Sequence, residues 1–130
     1  MASGINVREY SSLSLAYIGD AVYEIYIRTM ILAKGQRSVN AMHHETTAYV
    51  QASAQSELVR ILEPLMTEEE HDVYRRGRNA KSGSVPRNQS MSDYRRATGF
   101  EALIGYLYLT GQQDRIRELL DAGIDKFPEP

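Results

Sequence analysis

Apolar residues recur at helical spacing along nearly the whole chain, and nowhere do they alternate with polar ones for long enough to suggest a strand. Residues 12–33 form the first long apolar segment, with Gly35 placed to end it. Residues 39–63 read as one or two helices. Thr67 followed by Glu70 is a capping-box pattern, which opens a charged helix from Thr67 to about Arg78. The stretch N-A-K-S-G-S-V-P-R-N-Q-S-M, residues 79–91, has the composition of a loop. Ser92 is the expected N-cap of the next helix, with Asp93 in its first turn; that helix runs to Thr110, where Gly111 breaks it. A last helix covers about Gln113 to Lys126, and Pro128 and Pro130 follow. No internal repeat is present. The pattern predicts an all-α fold.

A chain of 130 residues reads as one domain. At this size it buries roughly two thirds of its unfolded surface, enough for one ordinary core. The chain has no cysteine, which excludes disulfides, thiolate zinc sites and cysteine nucleophiles. It shows no basic stretch leading into an apolar core and no run of about 18 uncharged apolar residues, so neither a signal peptide nor a membrane span is expected, and a cytoplasmic protein is. A formal net charge of −2 excludes a strongly basic nucleic-acid binder by composition alone, although the distribution of charge tells a different story.

Asp20 and Glu24 lie within L-A-Y-I-G-D-A-V-Y-E, residues 15–24, one turn apart in the most apolar helix. Asp20 shares its face with Leu13, Ala16, Tyr17, Ile27 and Ile31, and the remaining sides carry Ile18, Val22 and Ile25. A helix apolar on most sides is either central in its domain or shared with a partner chain. An ionised carboxylate there costs several kcal/mol unless it is paired, metal-bound or protonated. In the helix after the loop, Phe100, Leu103 and Leu107 make one face, and Glu101 points away from them beside Ala97, Thr98, Ile104, Gly105 and Tyr108. Small residues near Glu101 let another helix come close. Asp20 and Glu101 are therefore expected to face each other across one site. Two carboxylates so placed repel unless a hard divalent cation lies between them, and oxygen ligation suits Mg²⁺, with Mn²⁺ able to substitute. A carboxylate in such a helix is alternatively an N-cap, an arginine partner or a residue at the core's edge.

Between Tyr74 and Arg87 the cations Arg75, Arg76, Arg78, Lys81 and Arg87 have no acid among them, and Lys34 and Arg37 add two at the end of the first helix. Cations bunched on a loop suit phosphate binding on one face, or else simply solvate that loop. His43 and His44 are expected in packing or surface roles, and His71, in the charged helix, is expected to be solvated.

The stretch L-A-Y-I-G-D-A-V-Y-E resembles the signature helix of the ribonuclease III family, in which leucine or phenylalanine, glycine, aspartate and alanine or serine follow in this order. A-T-G-F-E-A-L-I-G-Y-L-Y-L, Ala97 to Leu109, resembles that family's second acidic helix. The two motifs stand in the family's order, and the resemblance spans about residues 10–126. Together with R-R-G-R-N-A-K, it points to the short branch called Mini-III, which consists of the catalytic domain alone.

The resemblance implies a ribonuclease III-type catalytic domain over residues 1–130, with its core about 11–126, folded as a homodimeric helical bundle without a double-stranded-RNA-binding domain. It implies a Mg²⁺-dependent endoribonuclease that cuts double-stranded RNA, with the 23S ribosomal RNA precursor as substrate and room for an accessory ribosomal protein. It carries over Asp20 and Glu101 as metal ligands and catalytic residues. Two acids usual in the larger enzymes are missing, because their positions hold Ala16 and Thr98. Water then completes the coordination and metal affinity is weaker, with Thr98 and Glu24 as supporting residues. Two other readings stand beside this one: an inactive relative that binds RNA or a ribosomal surface, and a helical adaptor whose acids pair with Arg95 or Arg96.

Overall fold

The computed structural model describes residues 5–81 and 90–128. Arg87 lies outside the described residues. The described elements are helical: a 3-10 turn at Val7–Glu9, then α1 (Ser12–Ala33), α2 (Val39–Val50), α3 (Ala52–Leu62), a 3-10 turn at Glu63–Leu65, α4 (Glu68–Asn79), α5 (Met91–Leu109) and α6 (Gln113–Asp125).

Short hydroxyl side chains start four of these helices. Ser11 accepts from the Ser14 amide, Ser38 from Ala41, Thr67 from Glu70 and Ser90 from Asp93, each satisfying an amide that the first turn leaves free. The capping box at Thr67 and Glu70 is complete in both directions. The cap of α5 is Ser90, two residues before the expected Ser92, because its hydroxyl reaches the Asp93 amide and lets Met91 and Ser92 enter the first turn. Gly35 and Gly111, at φ 138° and 77°, follow the ends of α1 and α5 in conformations that a side chain would strain.

Residues 39–63 form two α-helices and the start of a 3-10 turn. The break falls at Gln51, whose extended ψ of 156° makes it both the end of α2 and the start of α3. Two buried side chains tie down the carbonyls left free there. Tyr23 donates its hydroxyl to the Tyr49 carbonyl at 2.7 Å, and Gln55 donates to the Val50 carbonyl at 2.8 Å.

The central element is α5, which packs against α1, α3, α4 and α6. Its Phe100, Ala102, Leu103, Ile104 and Leu107 are wholly buried. Phe100 meets Tyr23 of α1 edge-on, with centroids 5.1 Å apart and planes at 87°. Each of these large side chains contributes roughly 1.5–3 kcal/mol of burial.

The first helix is not central. One face, from Leu15 through Gly19, Tyr23 and Ile27 to Ile31, is buried. The other leaves Tyr17 80% and Ile25 59% exposed, with Leu13 and Leu32 also in solvent. Its apolar surface is therefore only partly used within the chain.

Candidate functional site

The site is set by how closely two helices cross. At Gly19 of α1, a Cβ would lie 1.7 Å from the Glu101 carbonyl oxygen. At Gly105 of α5, a Cβ would lie 1.9 Å from the Leu15 carbonyl oxygen. The two backbones therefore touch, which no residue larger than glycine permits. Asp20 follows Gly19 and Glu101 precedes Gly105 by one turn, so the crossing brings their carboxyls together. The expectation that small residues beside Glu101 admit a second helix holds, and the helix admitted is the one carrying Asp20.

The two acids differ in setting. Asp20 is exposed, so the cost of burying a charge does not fall on it as its apolar neighbours suggested. It stands where the buried stripe of α1 gives way to the exposed Tyr17 face. Glu101 is the half-buried member. Desolvation first, then the charge of Asp20, pushes its carboxyl up to about 8, while a hydrogen bond from Gln55 pulls the other way. Gln55 Nε2 donates to Glu101 Oε2 at 3.1 Å.

Among the described residues, no arginine or lysine forms an ion pair with either acid. Arg95 and Arg96, the partners of the adaptor reading, are both exposed and neither pairs with these acids; Arg96 instead donates to the Ser56 hydroxyl at 3.3 Å. Two adjacent carboxyl groups, one of them held by a neutral amide and both free of guanidinium, are a donor set that fits a hard divalent cation. Among the described residues no third acidic or histidine side chain joins these two in a group that could hold a metal ion, so solvent or substrate oxygens have to complete any coordination shell.

Ala16, at the position of one missing acid, is buried with Leu15 and Ala102 in a small apolar cluster. Thr98 is buried one turn before Glu101, its hydroxyl donating to the Tyr94 carbonyl at 3.0 Å with its oxygen still able to accept. Glu24, expected as a supporting residue, pairs with Arg28 one turn on. His43 and His44 are exposed. His71, expected to be solvated, is instead half-buried and hydrogen-bonded to Glu63 at 2.8 Å.

The cations divide into groups. Arg75, Arg76 and Arg78 lie on the last turns of α4, within the charged helix expected to about Arg78, and cations at a helix C-terminus complement its dipole. Arg75 pairs with Asp72, and Arg78 stacks 5.5 Å from the Tyr74 ring centroid. Arg76 and Lys81 are exposed. Lys34 and Arg37 both turn onto Glu45, and Arg37 also donates to the Ile31 carbonyl, so part of their charge is already engaged.

The sequence pattern does not single out Gln55. It occupies a stripe position of α3, Ala52–Gln55–Val59–Leu62, whose other members are apolar and buried. A lone amide in an apolar stripe is the signal that could have found it.

The profile of the Ribonuclease III domain matches residues 13–112. The chain is 49% identical over 123 residues to the "Mini-ribonuclease 3" of Thermoanaerobacter sp., covering 95% of this chain and 87% of that protein. It is 46% identical over 124 residues to the protein of the same name from Enterococcus faecalis, covering 94% of each. A crystal structure of a protein from Fusobacterium nucleatum superposes with a TM-score of 0.83 at 30% identity, covering 91% of this chain and 96% of that one.

Proposed function

The chain belongs to the Mini-III branch of the ribonuclease III family, and on that premise we propose that Asp20 and Glu101 form its catalytic metal site. As a member it is an endoribonuclease acting on double-stranded RNA, and metal-dependent. The observation that carries the site assignment is the Gly19–Gly105 crossing, which sets one exposed and one half-buried carboxylate side by side without a cationic partner.

The ion we assign is Mg²⁺, with Mn²⁺ as substitute; when bound, such an ion neutralises phosphate charge and acidifies a water. The chain's own residues do the rest. Asp20, on the rim, offers an oxygen that reaches solvent and substrate. Glu101, held from below by Gln55, offers one fixed in direction. Thr98 can accept a hydrogen bond from a water one turn away. The exposed Arg76 and Lys81, together with Arg78, supply positive charge for duplex phosphates, which A-form RNA presents more readily than its base edges. Arg75, Lys34 and Arg37 join them where the phosphates compete with Asp72 and Glu45, and Arg87 is assigned with them from sequence alone.

We assign the exposed α1 face, with Tyr17 and Ile25 at its centre, to a two-fold contact with a second copy. That arrangement supplies one site per RNA strand. The 23S ribosomal RNA precursor is the proposed substrate, the cytoplasm the proposed location, and a ribosomal protein a proposed accessory. Among the described residues no helix is long and apolar enough to cross a membrane.

The test is cleavage of a long RNA duplex with Mg²⁺ by the parent and by Asp20→Asn. Because Asp20 is exposed, the variant should keep its melting temperature while losing at least a hundredfold in rate. Unimpaired cleavage by a folded Asp20→Asn protein removes Asp20 from the site.

A further inference from the structure

Gln55 is a buried amide in a place where chemistry alone does not demand one. It is 2% exposed, on a helix stripe otherwise made of alanine, valine and leucine. Its Nε2 bridges two acceptors, the Val50 carbonyl at 2.8 Å and Glu101 Oε2 at 3.1 Å. Its Oε1 has no hydrogen-bond partner, and it is the single buried side-chain atom in that condition among the described residues. An unsatisfied buried acceptor costs about 1–3 kcal/mol. Leucine or methionine would fill the same stripe without that cost, so packing does not account for the amide.

The bridge also defines which end of the amide is which. The Val50 carbonyl can only accept, so the atom facing it must be nitrogen. The remaining N–H of that nitrogen is then committed to Glu101. The Val50 carbonyl is itself held at the α2–α3 junction, where the neighbouring Tyr49 carbonyl is tied to Tyr23 of α1. Glu101 is therefore oriented by a rigid chain of bonds that starts in the backbone of another element. A lysine or arginine could hold the carboxylate equally firmly, but its charge would occupy the position that a cation needs. A neutral donor orients without competing.

We propose that Gln55 is a positioning residue for metal binding, aiming the Glu101 carboxylate at the ion it shares with Asp20. This rests on the Asp20–Glu101 assignment above. Partners that orient a metal-bound carboxylate are commonly worth about 10- to 100-fold in metal affinity, and that is the loss expected when the donor is removed.

The experiment is Mn²⁺ binding to the full chain without RNA, read by electron paramagnetic resonance of free Mn²⁺, for the parent, Asp20→Asn, Gln55→Met and Gln55→Asn. Methionine keeps the volume and lacks the donor. Asparagine keeps the amide but is one methylene too short to bridge both acceptors. Circular dichroism establishes which variants are folded. The expected result is at least tenfold weaker Mn²⁺ binding in each folded Gln55 variant. Binding within threefold of the parent overturns the role of Gln55 if Asp20→Asn has lost the ion. If Asp20→Asn binds as the parent does, the metal site itself is misassigned and the inference falls with it. The unmutated protein supplies a further reading through the side-chain amide resonances of Gln55 in nitrogen-15 spectra. They should shift as Mg²⁺ is added; resonances that stay in place at saturating Mg²⁺ overturn the proposal even if neither variant folds.

Discussion

Gly19→Ala probes the crossing on which the site depends. The added Cβ would lie 1.7 Å from the Glu101 carbonyl oxygen, 2.6 Å from its carbon and 2.8 Å from the Gly105 nitrogen. All three are backbone atoms of α5, so no change of rotamer relieves the clash. Restoring a carbon–oxygen contact of about 3.3 Å requires the two helices to part by roughly 1.5 Å at that point. Alanine gains up to about 1 kcal/mol over glycine in helix propensity. Overpacking a core costs about 1–3 kcal/mol where side chains yield, and here the backbone must yield across the contact between α1 and the central helix. A net loss of at least about 2 kcal/mol is expected, which for a chain of this length lowers Tm by roughly 6–10 °C. Gly123→Ala is the control. The atoms nearest its Cβ would be the Leu58 and Leu62 methyls, at 3.0 Å and 3.3 Å, which are movable ends. Propensity and crowding then nearly cancel, and Tm should move by less than about 3 °C. Thermal melts followed by circular dichroism measure both. A Gly19→Ala protein that melts within 3 °C of the parent would show that the backbones do not touch there, and the account of why the acids meet would go with it.

Three further outcomes follow from the same coordinates. Arg115 donates to both oxygens of the buried Glu70 and to the Leu65 carbonyl, so Arg115→Met leaves a buried carboxylate uncompensated and should cost about 3 kcal/mol in denaturant unfolding. Burial raises the Glu70 carboxyl, but its bonds to Arg115 and Thr67 outweigh this and leave it below its ordinary 4.5. The parent's stabilisation from this pair is therefore complete above pH 4.5 and drains away as pH falls through the lowered value; a variant with an equally steep acid dependence would contradict the pairing. Replacing Arg76, Arg78 and Lys81 with alanine should abolish measurable duplex RNA binding at moderate salt with the helices intact, and any residual binding should show a log–log salt slope shallower by about 2–3; normal RNA affinity in the triple variant refutes their role. Ile25→Glu on the exposed α1 face should convert a dimer to monomers in light scattering, and a parent that is already monomeric sinks the proposed two-fold contact.

Local signals carried much of this protein's architecture. Helical periodicity, hydroxyl caps and the glycines at 35 and 111 are short-range physics, and they place the six helices to within about two residues, apart from the break at Gln51. The pairing of Asp20 with Glu101 was an expectation from a small residue beside an acid on each of two apolar helices, strengthened by the family resemblance, with N-cap, arginine-partner and core-edge readings beside it. What the chain could not announce was burial, which depends on what lies across from a residue. Only the folded structure made α5 the central helix, exposed Asp20, put the desolvation on Glu101, and drew Lys34 and Arg37 onto Glu45. Gln55 is the sharpest case. The sequence pattern does not single it out, and only the meeting of α3 with α5 supplies the carboxylate it holds, because a hydrogen bond between residues so far apart in sequence exists nowhere but in the tertiary fold.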